Sequence, residues 1–203
     1  MKFLKFLPIL GCCLAAVTFT SCNSDDDYPS LTPEEVNQAF MAVKGNYEGD
    51  FIDLDPEAAD KEDKTDTLAV SWEIDTDSTM TINNFPAAPL AMHITDATLA
   101  KAIAEQPDQP LKCHIGFYSV SPVGFLINPE AAEYEVEYDG KTHKVQVAFY
   151  LSTPYSYGAY STTSKNMQMQ IVVAGIYVDK ELNTSLLKNA VAFGIEYKKE
   201  SKK

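Results

Sequence analysis

Carboxylates crowd one stretch of the 203-residue chain, at Asp53, Asp55, Glu57, Asp60, Glu62 and Asp63. Oxygen ligands at this density suit a hard cation such as calcium. The EF-hand spacing fails, because a loop counted from Asp53 has Ala58 where the turn glycine belongs and Lys64 where the closing glutamate belongs. The segment reads as a solvated hairpin loop, and no metal is assigned to it. His93, His114 and His143 are scattered, and Cys113 and His114 are strand neighbours whose side chains point to opposite faces, so they cannot chelate one ion together. Cys113 lies in an alternating apolar run and reads as a buried, inert thiol. Glu133, Glu135 and Glu137 share the outward face of a hairpin with Lys144, where solvated carboxylates make poor general acids. There is no Gly-x-Ser-x-Gly elbow, phosphate-binding glycine loop or His-Glu-x-x-His motif. No catalytic residue and no cofactor is therefore assigned. The remaining candidate is Tyr155, Tyr157 and Tyr160, set among Ser152, Thr153, Ser156, Gly158 and Ser161. Flat amphipathic rings among adaptable hydroxyls have the composition of a contact surface for a ligand or partner. The same residues would also make an ordinary long hairpin loop with its rings folded on the sheet edge.

Strands must position these groups. Thr32-Pro33-Glu34-Glu35 starts a helix, which Gly45 stops, and its apolar face is Val36, Phe40, Met41 and Val43. Strands follow over residues 46–54, 67–74 and 79–83, with Leu68, Val70, Trp72 and Ile74 on one buried face. Asp96 to Gln106 is an inserted helix ended by Pro107 and Pro110. Strands return at residues 111–121 and 124–128. Asp139-Gly140 then marks a two-residue type I′ hairpin between residues 133–138 and 141–150. Pairing Tyr138 with Lys141 puts Val136 opposite His143 and Tyr134 opposite Val145, while Glu135 meets Lys144 and Glu133 meets Gln146. A one-residue slip would bury the glutamates. Residues 152–166 read as a loop, and strands at 167–177 and 189–197 bring the count to about nine.

The charge balance excludes one class of partner. A net charge of −13 with no arginine leaves no bidentate clamp for phosphate, so no nucleic-acid partner is expected. At the N-terminus, Lys2 and Lys5 precede an apolar run from Phe6 to Phe19, shorter than the ~20 residues a membrane span needs. Residues 1–21 read as a cleaved signal peptide. Phe19-Thr20-Ser21-Cys22 resembles the lipobox of bacterial lipoproteins, with Phe19 in place of the usual leucine. The resemblance implies that Cys22 is acylated and tethers the domain to a membrane. Asn23-Ser24-Asp25-Asp26-Asp27 follows, and an anionic membrane surface would repel its carboxylates. Ser24, Asp25, Asp26 and Asp27 resemble the export tag of Bacteroides-type lipoproteins, which implies the outer face of the outer membrane. Read as a plain acidic linker, the same run leaves the domain on the periplasmic face.

Residues 22–31 thus form a lipidated linker, and residues 32–203 form one domain. A mainly antiparallel chain of this kind must close into a barrel or stack as a sandwich, because long open edges invite aggregation. The helix running into Gly45-Asn46-Tyr47 is similar to the lipocalin-like helix and Gly-x-Trp pattern, with Tyr47 in place of tryptophan. The expectation is a mainly β fold with minor α: a lipocalin-like antiparallel barrel or sandwich carrying an N-terminal helix and one inserted helix. The expected function is non-catalytic binding of a small hydrophobic molecule or glycan at the cell surface. The alternatives are a surface protein–protein module, or a hydrolase whose site assembles from distant strands.

Overall fold

The computed structural model describes residues 30–54 and 67–198. Residues 1–21, expected to be a signal peptide, Cys22, the run from Ser24 to Asp27, and the acidic segment beyond Leu54 lie outside the described residues.

Helix α1 (Pro33–Val43) begins on a reciprocal cap: Thr32 Oγ1 accepts from Glu35 N, and Glu35 Oε2 accepts from Thr32 N at 2.8 Å. Its buried positions are Ala39 and Val43, whereas Met41, expected on the apolar face, is 62% exposed. The helix packs on the sheet as a narrow stripe, and small Ala39 marks its line of closest approach. The strands are β1 (Gly45–Asp53), β2 (Leu68–Ile74), β3 (Thr79–Phe85), β4 (Gln109–Val120), β5 (Val123–Pro129), β6 (Ala132–Tyr138), β7 (Lys141–Phe149), β8 (Tyr157–Ser161), β9 (Asn166–Val178), β10 (Glu181–Leu182) and β11 (Val191–Lys198). Helices α2 (Ala87–Ala91) and α3 (Ala97–Ala104) lie between β3 and β4. The first of these was not expected from the sequence, which places Pro86 and Pro89 just after the third strand. Both prolines fall at the start of a one-turn helix, where a missing N–H costs little. Asp96 caps α3, its Oδ1 accepting from Thr98 N and Leu99 N.

Eight strands close an antiparallel barrel in the order β11-β1-β2-β3-β4-β5-β8-β9, with β9 pairing back onto β11. The barrel alternative of the expected fold is therefore the one adopted. Closure depends on the length of β9. Its first half pairs with β8 on one edge and β11 on the other. Val173 then meets both Val191 of β11 and Phe149 of β7, so the β6–β7 hairpin continues the edge that β8 leaves. A register shift at this handover brings Ile176 into the core and leaves Tyr177 half-buried, off the face of Met167, Met169, Ile171 and Val173.

The hairpin has the register its Asp-Gly turn dictates: Tyr138↔Lys141, Val136↔His143, Tyr134↔Val145, Glu135↔Lys144 and Glu133↔Gln146. Asp139 and Gly140 sit at φ 52° and 74°, the left-handed pair a type I′ turn requires. Four phenylalanines fill the barrel end nearest α2 and α3. Phe85 sits edge-on to Phe51 at 5.7 Å and to Phe149 at 5.9 Å, and Phe51 lies 5.0 Å from Phe193. Inward positions of β2, β3, β9 and β11 are almost all buried, whereas in β1 only Phe51 is, so the packed core lies around Phe51 and away from the start of β1.

Candidate functional site

The other end of the barrel is built differently. The ladder between β1 and β11 covers only Asp50–Asp53 against Phe193–Glu196. Beyond it β1 runs on along β2 to Gly45, while β11 runs on along β9 to Lys198. Among the described residues, these two ends share no paired residues. A concavity of about 680 Å³ opens along this seam, lined by Asn46, Tyr47, Glu48, Ser71, Trp72, Asn83 and Tyr197. That volume falls within the range of small-molecule sites, although the concavity is wide open to solvent.

Its lining comes from two faces of the sheet. Tyr47 and Trp72 are paired on the inward face, stacked at 5.4 Å and 11°, and Tyr197 meets Tyr47 edge-on at 5.1 Å. Asn46, Glu48, Ser71 and Asn83 belong to the outward set of β1, β2 and β3. Asn83 Nδ2 donates to Ser71 Oγ at 3.2 Å, and Asn84 Oδ1 accepts from Ser71 N at 2.8 Å, which fixes this polar rim. Trp72 is fully buried, yet its Nε1 has no hydrogen-bond partner. Buried orphan donors of this kind are rare.

Tyr47 ties the seam to α1 by donating its hydroxyl to the carbonyl of Val43 at 2.6 Å. Burial, followed by the neighbouring Tyr160 and Tyr197, pushes its hydroxyl up to about 12. The native chain therefore holds a proton that the unfolded chain releases near pH 10, and stability should fall as pH rises from about 10 to about 12. Tyr134, Tyr138 and Tyr160 shift in the same direction, each chiefly through burial. In Tyr47→Phe the alkaline decline in urea midpoint should be shallower than in the parent. An unchanged slope would remove Tyr47 from the account.

The residues singled out from the sequence are dispersed. Tyr157 and Tyr160 lie on β8 rather than in a loop, and their odd spacing puts them on opposite faces. Tyr160 is 7% exposed and faces the barrel interior, so it cannot act as a surface contact. Tyr155 is 57% exposed at the end of the β7–β8 connection, and Tyr157 is half-buried on the outer face. Serine and glycine made this stretch read as a loop, but Gly158 sits directly opposite Phe125, whose ring fills the place of a side chain.

The titratable groups divide into surface pairs and a buried thiol. Glu133 lies 2.7 Å from Lys144 and accepts from Gln146 at 2.6 Å, and these two contacts hold its carboxyl below the usual range. Asp179 is held low by the backbone N–H of Lys144 and by His143, whose Nδ1 lies 2.8 Å away. Carboxylates kept ionised in this way are unsuited to donating a proton. Burial drives the Cys113 thiol strongly upward, against thiolate formation. One pair had no local signal: Asp53 and His93, forty positions apart, meet at 2.6 Å with both side chains 12% exposed. Among the described residues, no three His, Cys, Asp or Glu side chains gather as a metal site would require.

The seam residues were equally unreadable in advance, because Asn46, Ser71 and Asn83 look like ordinary solvent-facing positions until three strands bring them together. No curated protein and no solved structure matches the chain. A family model described as a domain of unknown function, DUF4840, matches residues 42–178, which run from the end of α1 to the end of β9. The chain therefore belongs to the DUF4840 family.

Proposed function

We propose that this chain is a non-catalytic binding module, lipid-anchored through Cys22 and carried to the cell surface by the run from Ser24 to Asp27. Its seam concavity would hold a glycan end or another small hydroxylated molecule. The observation that carries this reading is the lining itself: an aromatic wall of Tyr47, Trp72 and Tyr197 beside the amides of Asn46 and Asn83 and the hydroxyl of Ser71. Rings take the C–H faces of a sugar, and amides take its hydroxyls. Trp72 lies fully buried behind Tyr47, and its orphan Nε1 leaves a polar group there that water or ligand could satisfy only if Tyr47 shifts. A wholly hydrophobic ligand is less well served, since the apolar interior is already occupied by Phe51, Phe85, Phe149 and Phe193.

Trp72 is the only tryptophan, so its fluorescence reports on this site. Titration with neutral mono- and disaccharides should shift its emission saturably, and Asn83→Ala with Tyr197→Ala should weaken that response about ten-fold, the loss of ~1.4 kcal/mol. A flat response across the sugar panel, in a protein that unfolds cooperatively, would count against the reading.

A further inference from the structure

A second surface lies on the opposite wall of the barrel. From Val145 to Val178 the chain carries a single ionisable lysine, Lys165, and no carboxylate, although its net charge is −13. These residues build β8, β9 and the β7–β8 connection, and their outer face is a row of tyrosines. Tyr118 of β4 is 47% exposed, with its ring over Gly124 of β5, where an added Cβ would lie 2.6 Å from the ring. Only glycine lets the ring settle there. Gly124 pairs with Ala159, and Leu126 pairs with Tyr157, which in turn pairs with Gln170. Tyr155 and Tyr150 continue the row, 57% and 38% exposed and edge-on at 5.6 Å, with Leu151 53% exposed beside them.

The row is held rather than draped. Gln170 Nε2 donates to the carbonyl of Tyr155 at 2.8 Å, Asn128 Oδ1 accepts from Ser152 N, and buried Ser156 accepts from Val172 N through its Oγ. Rigid aromatic side chains on a fixed backbone lose little entropy on binding.

We infer that this uncharged tyrosine row, Tyr118, Tyr157, Tyr155 and Tyr150, is a docking strip for a neutral oligosaccharide chain. The match is one of charge and shape. A carboxylate-free strip on an acidic protein admits an uncharged polymer without stripping water from a charge, while the surrounding surface repels anionic polymers. Phenol rings offer stacking faces, and Gln170, its Nε2 engaged by the carbonyl of Tyr155, offers its amide oxygen for a hydroxyl. From β4 across β5 to β8 is two strand spacings, roughly 10 Å, so the strip is longer than one sugar ring. It shares no residue with the seam concavity, and either site can fail without the other.

The test is affinity electrophoresis of the domain through gels containing soluble linear β-glucan, α-mannan or amylose, with polygalacturonate as the anionic control. At least one neutral polymer should retard the protein, and polygalacturonate should not. Tyr118→Ala combined with Tyr155→Ala and Tyr157→Ala should weaken retardation about ten-fold or more. The corresponding triple phenylalanine variant, which keeps the rings, should retain most of it, and Asn83→Ala at the seam should leave it intact. No retardation by any neutral polymer would overturn the inference, as would retardation that survives loss of the three rings. So would self-association in sedimentation that the triple alanine variant abolishes, since the strip would then be covered by a second copy of the chain.

Discussion

Gly49→Ala should be among the most damaging single-atom additions this barrel can receive. A Cβ at Gly49 would overlap the carbonyl oxygen of Glu196, lie 3.0 Å from its carbonyl carbon, and come within 3.1 Å of the Trp72 ring. None of these neighbours can yield locally. Glu196 belongs to the ladder that joins β11 to β1 and to β9, and Trp72 is fully buried against Tyr47. Relief therefore requires β1 to move off β11, which opens the seam where the barrel closes. Overpacking alone costs about 1–3 kcal/mol, and each ladder hydrogen bond lost adds ~1 kcal/mol. With urea slopes of about 1–3 kcal/mol/M, the midpoint should fall by roughly 1 M or more. Gly116→Ala supplies the control, because a Cβ there meets nothing within 4 Å. That substitution should be neutral or stabilising by a few tenths of a kcal/mol, through the unfolded chain. Equal midpoints for the two variants would show that β1 and β11 do not approach as closely at Gly49 as the barrel requires.

The same closure marks the boundary of what local sequence reveals. The Asp139-Gly140 hairpin was legible to the residue, because a two-residue turn fixes register and charged residues on one face forbid a slip. The Thr32 cap was legible for a similar reason, since it is satisfied within four residues, whereas Asp96, read as the first residue of its helix, is the cap before it. Closure is a property of strands far apart in the chain. β9 takes β8, β11, β7 and β10 as partners, and nothing within residues 166–178 reports that both of its edges are used. β8 was hidden by composition: Tyr, Ser and Gly favour turns in isolation, yet here Gly158 is opposite Phe125. The site was hidden for both reasons. Tyr47 was noticed as the residue standing where the lipocalin-like pattern has tryptophan, but its stacking on Trp72 and its contact with Tyr197 depend on β2 and β11 arriving beside β1.

Protease shaving of intact cells should give an all-or-none result. With the native run of Asp25, Asp26 and Asp27 the domain should be cut, and with all three changed to alanine it should be protected until the cells are lysed. The argument is one of elimination by charge. If Cys22 is acylated as proposed, three carboxylates starting three residues later oppose attachment to an anionic leaflet, and each charge near the surface is worth about 1 kcal/mol. On that proposal the acyl chains would overcome the repulsion in either form, so anchoring would survive the substitution and only a receptor-read sorting step would be lost. Cleavage of both forms in intact cells would make the run a spacer. Protection of both would place the domain on the periplasmic face, where its seam and its tyrosine strip would meet envelope components instead of extracellular glycans. The −13 charge has different consequences in the two compartments. Outside, it keeps a tethered domain away from acidic surface polymers and leaves the neutral tyrosine strip as the face that can approach a glycan; inside, the same repulsion would hold it off the anionic leaflets between which it is confined.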